Sequence, residues 1–218
     1  MVGGSCHYYR LGNRWVYRWD FDIMPLLGSE QVIHAINTFR AVWIRGRYGG
    51  GKTFVSFLLA EQLSKRFGYG VFSNVKNTIG VPYYATSEDC QAGIYPDDVG
   101  VGDMVHTTVV YDEAWLSLGM GTSPKEVKKY LAFLRKRDFV LLMPSVLPMS
   151  KNAYLIWVER TFNLGALGIP LWIYQWGIAG QDAKKSGGRF VVWLPQKHFG
   201  MYDTLAQPDE LPTLFGVE

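Results

Sequence analysis

Apolar positions along this chain recur with two periods, and the change from one to the other marks the elements. After Ser29, the positions Val32, Ile33, Ile36 and Phe39 lie on one face of a helix over Glu30 to Phe39, with Ser29 as its expected cap. The short apolar run Ala41-Val42-Trp43-Ile44 follows and predicts a buried strand. From about Lys52 the helical period returns through Val55, Leu58, Leu59 and Leu63 to about Phe67, and Gly68-Tyr69-Gly70 ends that helix. Val71-Phe72-Ser73-Asn74 then reads as a short strand. Strand, crossover helix and strand make a parallel, right-handed unit.

Further on, Thr107 to Tyr111 is β-prone and ends in Asp112-Glu113. Ser123-Pro124-Lys125-Glu126 is a capping box opening a helix whose buried face is Val127, Tyr130, Leu131 and Leu134, and whose last turn carries Arg135, Lys136 and Arg137. Phe139 to Met143 predicts a core strand with Pro144-Ser145 at its end. Tyr154 to Leu164, Leu171 to Gly177 and Arg189 to Leu194 are β-prone, the last two spaced as a hairpin by a polar loop, Gln181 to Gly188. The expected fold is α/β, a mostly parallel sheet flanked by helices with a C-terminal antiparallel extension. Residues 76–104, rich in proline and glycine, read as a long loop. Residues 7–23 form two aromatic-rich arms about Leu11-Gly12-Asn13-Arg14, read as a hairpin or extended arm. Interleaved Arg10, Arg14 and Arg18 would let it stack on bases or pack on a neighbour. The organisation read from these patterns is an arm over 1–28, a domain over 29–200 and an irregular tail over 201–218.

Composition narrows this in three ways. At 218 residues the chain fits one α/β domain of ordinary size, and 48% hydrophobic with 19% charged residues excludes a disordered chain. Cys6 and Cys90 are too few for a disulfide framework, and His7, His34, His106 and His198 show no metal-ligand spacing. Leu164 to Ala179 is the one stretch that invites a membrane reading, but it is short and holds Pro170 and Gln175, so two buried strands around a Gly-Pro turn are expected there. A formal charge of +3 permits contact with nucleic acid without arguing for it.

The chemistry starts at Gly46-Arg47-Tyr48-Gly49-Gly50-Gly51-Lys52-Thr53, which fits G-x-x-x-x-G-K-[ST] between a predicted strand and a predicted helix. Glycines let backbone N–H groups turn inward around phosphate oxygens, and the following helix, opening with Phe54 after Thr53, aims its positive end at them. In this pattern Lys52 reaches the β- and γ-phosphates of ATP and Thr53 ligates Mg²⁺. Asp112 and Glu113, delivered to the sheet edge by their strand, are the candidates for the second metal ligand and for the catalytic base. Arg135 or Arg137 is either a favourable partner of the helix dipole or a finger for a neighbouring subunit's nucleotide.

GRYGGGKT, VFSN at the second strand, VVYDEAW at the acidic strand, LRKRDF at the end of the following helix and HFGMYDT near the end, over roughly residues 40–205, together resemble the zonular occludens toxin-like ATPases. These belong to the wider FtsK/HerA group of DNA-translocating and packaging motors. The resemblance implies a P-loop NTPase fold of the RecA/FtsK kind, with Lys52 and Thr53 on nucleotide and Mg²⁺, Asp112 on Mg²⁺, Glu113 as base, and Arg135 or Arg137 acting between subunits. It also implies a homo-oligomer, a ring in the family's manner, with DNA as cargo and capsid or assembly proteins as partners. Many relatives end the next strand with Thr-Gln, which senses the γ-phosphate; here Pro144-Ser145 stands there, leaving Ser145 as the candidate donor. The membrane helix of filamentous-phage relatives has no counterpart, so the expectation is a motor in the cytoplasm of a host cell or in a virion, at most peripheral to a membrane. Two other classes fit the loop, a small P-loop kinase and a nucleotide-dependent assembly scaffold.

Overall fold

The computed structural model describes residues 26–73, 75, 106–114, 132, 135–136, 138–148, 154–165, 167–182, 186–193 and 195 in full, and the backbone at 5–11, 14–20, 84–85 and 166. The strands are β1 (Ser5–Leu11), β2 (Arg14–Asp20), β3 (Leu26–Leu27), β4 (Ala41–Arg45), β5 (Gly70–Ser73), β6 (Tyr84–Ala85), β7 (Thr107–Val110), β8 (Val140–Ser145), β9 (Ile156–Asn163), β10 (Leu171–Ile178) and β11 (Gly187–Trp193). The helices are α1 (Glu30–Phe39) and α2 (Lys52–Phe67).

Among the described residues, nine strands form one sheet in the order β3-β11-β10-β9-β4-β8-β7-β5-β6. From β9 to β6 every pairing is parallel, and from β9 to β3 every pairing is antiparallel. The fold is therefore α/β, with a mostly parallel centre and an antiparallel extension, as the pattern predicts. β5, β7 and β8 are buried at every position, which is what a parallel sheet covered on both faces requires. One core gathers Val32, Ile33 and Ile36 of α1 and Phe54, Leu58 and Leu59 of α2 against Val42, Ile44, Val140 and Leu142 of the sheet. α2 ends where Gly68 takes φ 75° and returns its N–H to the Ser64 carbonyl.

Four details depart from the sequence reading. Ser29 starts α1 without capping it, since its hydroxyl donates to the Leu26 carbonyl at 3.3 Å. Residues 164–179 are not two strands: Leu164–Leu167 is a 3₁₀ turn, and only Leu171–Ile178 is strand. The turn wins because Asn163 accepts from Gly165 N at 2.9 Å and Gly168 closes it at φ 73°. The span read as a long loop contributes β6 to the edge of the sheet through its pairing with β5. Pro144 and Ser145 are the last two residues of β8, which extends the expected run of Phe139 to Met143. β7 stops at Val110, so Pro144 meets no full ladder on that side, and its carbonyl accepts from Glu113 N at 3.0 Å.

The arm is a hairpin, β1 paired antiparallel with β2 from Ser5↔Asp20 to Leu11↔Arg14. Among the described residues no helix is long and apolar enough to cross a membrane. The predicted helix from Ser123 lies mostly outside the described residues; positions 132, 135 and 136 are helical and exposed.

Candidate phosphate-binding site

β4 runs straight into the loop Gly46 to Gly51, and α2 begins at Lys52. Gly46, Gly49 and Gly51 take φ of 151°, 66° and 73°, which L-residues avoid. Gly51 is also held by contact, because a Cβ there would meet Trp172 Cζ3 at 2.7 Å and the Tyr174 hydroxyl at 3.2 Å. The turn is closed by Gly50 N donating to the Arg47 carbonyl at 3.0 Å. Tyr48 stands out of the loop at 82% exposure, and Phe54 is buried, edge-on to Trp172 with centroids 5.5 Å apart.

Lys52 is buried, and its ammonium donates to the Arg47 carbonyl at 3.2 Å. Burial pushes its pKa below the ordinary lysine value, against the opposing pull of Glu113 and Asp112. That both carboxylates act on this ammonium places them beside the loop.

β8 separates the loop's strand from β7, so β7 ends one strand away from the loop and turns at Asp112-Glu113-Ala114. Thr53 Oγ1 donates to Asp112 Oδ2 at 2.9 Å, spanning that gap. Burial lifts the Asp112 carboxyl to about 6; the Thr53 hydrogen bond lowers it, Glu113's charge raises it, and the Glu113 N–H and Lys52 lower it. Glu113 takes φ 52°, an unusual backbone for a non-glycine residue. It is held there because its N–H is shared between Asp112 Oδ1 at 3.1 Å and the Pro144 carbonyl at 3.0 Å.

Two hard oxygen donors, Thr53 Oγ1 and Asp112 Oδ2, thus meet at the end of the sheet beside the loop. That donor set fits Mg²⁺, which takes one or two protein ligands and completes its shell with water and phosphate. Among the described residues, no three His, Cys, Asp or Glu gather to hold a metal by themselves.

Of the other sequence candidates, Ser145 ends β8 level with Arg45, at the loop end of the sheet, whereas Arg135 lies towards the other end. Ser145 is fully buried, and its hydroxyl donates to the Leu147 carbonyl at 2.8 Å. Arg135 is exposed and shortly precedes β8, at the end of the sheet where Asp138 pairs with Arg40 at the start of β4. Asp112 lies at the opposite end, roughly 20 Å away by the length of a six-residue strand. Arg137 and the His198 to Thr204 segment lie outside the described residues.

Sequence reasoning passed over the aromatic wall behind the loop. Trp172, Tyr174 and Trp176 alternate on one face of β10, and Tyr174 donates to the Gly51 carbonyl at 3.3 Å while stacking on Phe190. The signal is present as Trp-x-Tyr-x-Trp with period two, but nothing local says which element that face meets.

No family model and no curated protein matches this chain. Among solved structures it is similar to the genome packaging NTPase B204 from Sulfolobus turreted icosahedral virus 2. With that protein in complex with AMPPCP the identity is 10%, over 69% of this chain and 96% of that one, at a TM-score of 0.44. With its AMP complex the identity is 12%, over 57% and 76%, at 0.42.

Proposed function

We propose that this chain is a Mg²⁺-dependent ATPase that works as a homo-oligomeric motor on DNA. The observation that carries the ATPase reading is the 2.9 Å bond from Thr53 to Asp112, formed from two elements separated by a whole strand of the sheet. It puts a hydroxyl at the start of α2 and a buried carboxylate at one point next to Lys52, as phosphate-bound metal needs. Backbone N–H groups from Gly46 to Phe54 would surround the phosphates, Lys52 would leave the Arg47 carbonyl for the β- and γ-oxygens, and Thr53 with Asp112 would hold Mg²⁺. The metal neutralises charge that develops on the phosphate oxygens. Glu113, whose backbone is held at φ 52° with its N–H on the Pro144 carbonyl, would orient and deprotonate the attacking water.

The motor reading rests on the sequence resemblance and on the place of Arg135. An arginine at the end of the sheet opposite its own loop serves another subunit's nucleotide more readily than its own, which is how a ring completes its sites. Hydrolysis would be measured for wild type and Lys52→Ala across protein concentration, with and without double-stranded DNA, alongside native mass. Expected are a rate per subunit that climbs with concentration and with DNA, loss in Lys52→Ala, and ATP retained without turnover in Glu113→Gln. Hydrolysis indifferent to Lys52→Ala overturns the ATPase reading, and a monomer indifferent to DNA overturns the motor.

A further inference from the structure

We propose that Arg160 is a phosphate ligand supplied by the same subunit, gripping the α-phosphate end of the nucleotide from the side of the loop away from the metal. This inference rests on the nucleotide-binding reading above and adds a residue that the loop motif does not contain.

Register puts Arg160 at the loop. Arg45, the last residue of β4, pairs with Glu159 of the adjacent parallel strand, so Arg160 stands level with Gly46, where the loop begins. It lies directly opposite Tyr174 on the other neighbour, and Tyr174 reaches the Gly51 carbonyl. Directly opposed residues share a face of the sheet, so Arg160 is on the face that carries α2. The ladder shifts by one residue between Ile173 and Tyr174, leaving Thr161 as the extra residue. A bulge of this kind re-aims the side chain beside it.

The side chain is already held. Its guanidinium lies 4.6 Å from the centroid of the Trp172 ring, and the edge of the same ring is the surface that a Cβ on Gly51 would strike at 2.7 Å. Trp172 is thus a spacer with the phosphate loop on its edge and a cation on its face. Arg40, Arg45 and Arg66 each pair with a carboxylate, to Asp138, Glu159 and Glu30 respectively. Arg160 has no such partner among the described residues, where its guanidinium meets the Trp172 ring. A half-buried guanidinium, stacked and without an anion of its own, is prepared for an anionic ligand, and its planar fork matches two phosphate oxygens.

Which phosphate it meets follows from the order of strands. Thr53 and Asp112 fix the metal, and with it the γ end, on the β7 side of the loop. The loop's N–H groups hold the α- and β-phosphates. β9 borders the loop on the other side, so its cation faces the α-phosphate end.

The test is calorimetric titration of ATP, ADP, AMP and adenosine into wild type, Lys52→Ala, Arg160→Gln and Arg160→Lys, with steady-state kinetics on the same proteins. Arg160→Gln is expected to weaken all three phosphorylated ligands by about 10–100-fold, the size of a charged hydrogen bond, and to leave adenosine unaffected. KM rises by a similar factor, and the loss in kcat/KM follows it. Arg160→Lys keeps the stem and the charge but not the fork, and recovers part of the affinity. Unliganded melting temperatures report whether the variants fold, and Arg160→Lys carries the test if Arg160→Gln does not. AMP bound as tightly by both variants as by wild type overturns the assignment, as does a loss confined to kcat. Wild type that binds no nucleotide overturns this assignment and the function beneath it together, whereas wild type that binds ATP through Lys52 but not through Arg160 overturns this assignment alone.

Discussion

Thr53 hands its hydroxyl hydrogen to Asp112 at 2.9 Å although 59 positions separate them in the chain. That carboxylate is buried, and burial raises its pKa from 3.8 to about 6. The sign follows directly. Below pH 3.8 the group is protonated whether folded or not, and contributes nothing; as pH rises to about 6, the unfolded chain ionises first and the folded state loses stability. Asp112→Asn keeps the shape, with Oδ1 still facing Glu113 N. It is therefore expected to stabilise the metal-free protein at pH 7.5 by up to about 3 kcal/mol while abolishing hydrolysis. Urea denaturation of both proteins at pH 4 and pH 7.5 measures it, and an equal gap at the two pH values would refute the account.

Two glycines of one loop separate backbone strain from contact. Gly49 and Gly51 have nearly the same φ, 66° and 73°, but a Cβ on Gly49 meets nothing within 4 Å, whereas on Gly51 it meets Trp172 at 2.7 Å. Gly49→Ala is expected to cost about 1–2 kcal/mol for the left-handed backbone alone. Gly51→Ala adds an overpacking term and costs about 2–4 kcal/mol. Chemical denaturation ranks them, and equal costs would show that the wall behind the loop yields.

These cases mark how far the sequence reaches. The loop was legible because its chemistry is contiguous, eight residues between a strand and a helix. Asp112-Glu113 was legible because an apolar run ended in two carboxylates. Their meeting with Thr53 was not, since it depends on β8 inserting between β4 and β7, and strand order is a matter of long-range pairing that no local period encodes. The same holds for Trp172 and Tyr174, which reach Gly51 from more than a hundred residues away. Pro144 was legible as the mark of a strand end, because β8 stops one residue beyond it, at Ser145.

Thr108 is fully buried in the sheet, and its hydroxyl finds no hydrogen-bond partner among the described residues. Folding therefore strips water from that oxygen without replacement. Thr108→Val has nearly the same shape and removes the cost, so a gain of about 1 kcal/mol in unfolding free energy is expected, with nucleotide binding unchanged. A loss on substitution would mean that the hydroxyl is satisfied in solution.

At the end of the sheet away from the loop, His106 bonds Asp138 Oδ2 through Nδ1 and the Phe67 carbonyl through Nε2. Both partners accept, so both ring nitrogens must donate, and the arrangement holds the imidazolium. Burial opposes the charge, but the Phe67 carbonyl and the hydrogen bond and charge of Asp138 outweigh burial and Arg40, and the pKa is raised above 6.5. Tyr69 stacks on the ring at 3.9 Å, and Arg40 joins the cluster through Asp138 and the Tyr69 hydroxyl. A raised pKa in the folded state stabilises fully below 6.5 and is lost as pH climbs through the folded value. Wild type should therefore lose stability above pH 6.5, and the comparison must isolate this group from Lys52, whose lowered pKa acts with the opposite sign. His106→Asn does so, because Asn tolerates the left-handed backbone at φ 66° and does not titrate. The difference in unfolding free energy between the two proteins is expected to shrink between pH 6 and pH 9, and Asp138→Asn should shrink it at pH 6 by removing the negative charge that faces the imidazolium. A difference that stays constant across that range would mean that His106 is neutral in the fold, with one of its two bonds broken.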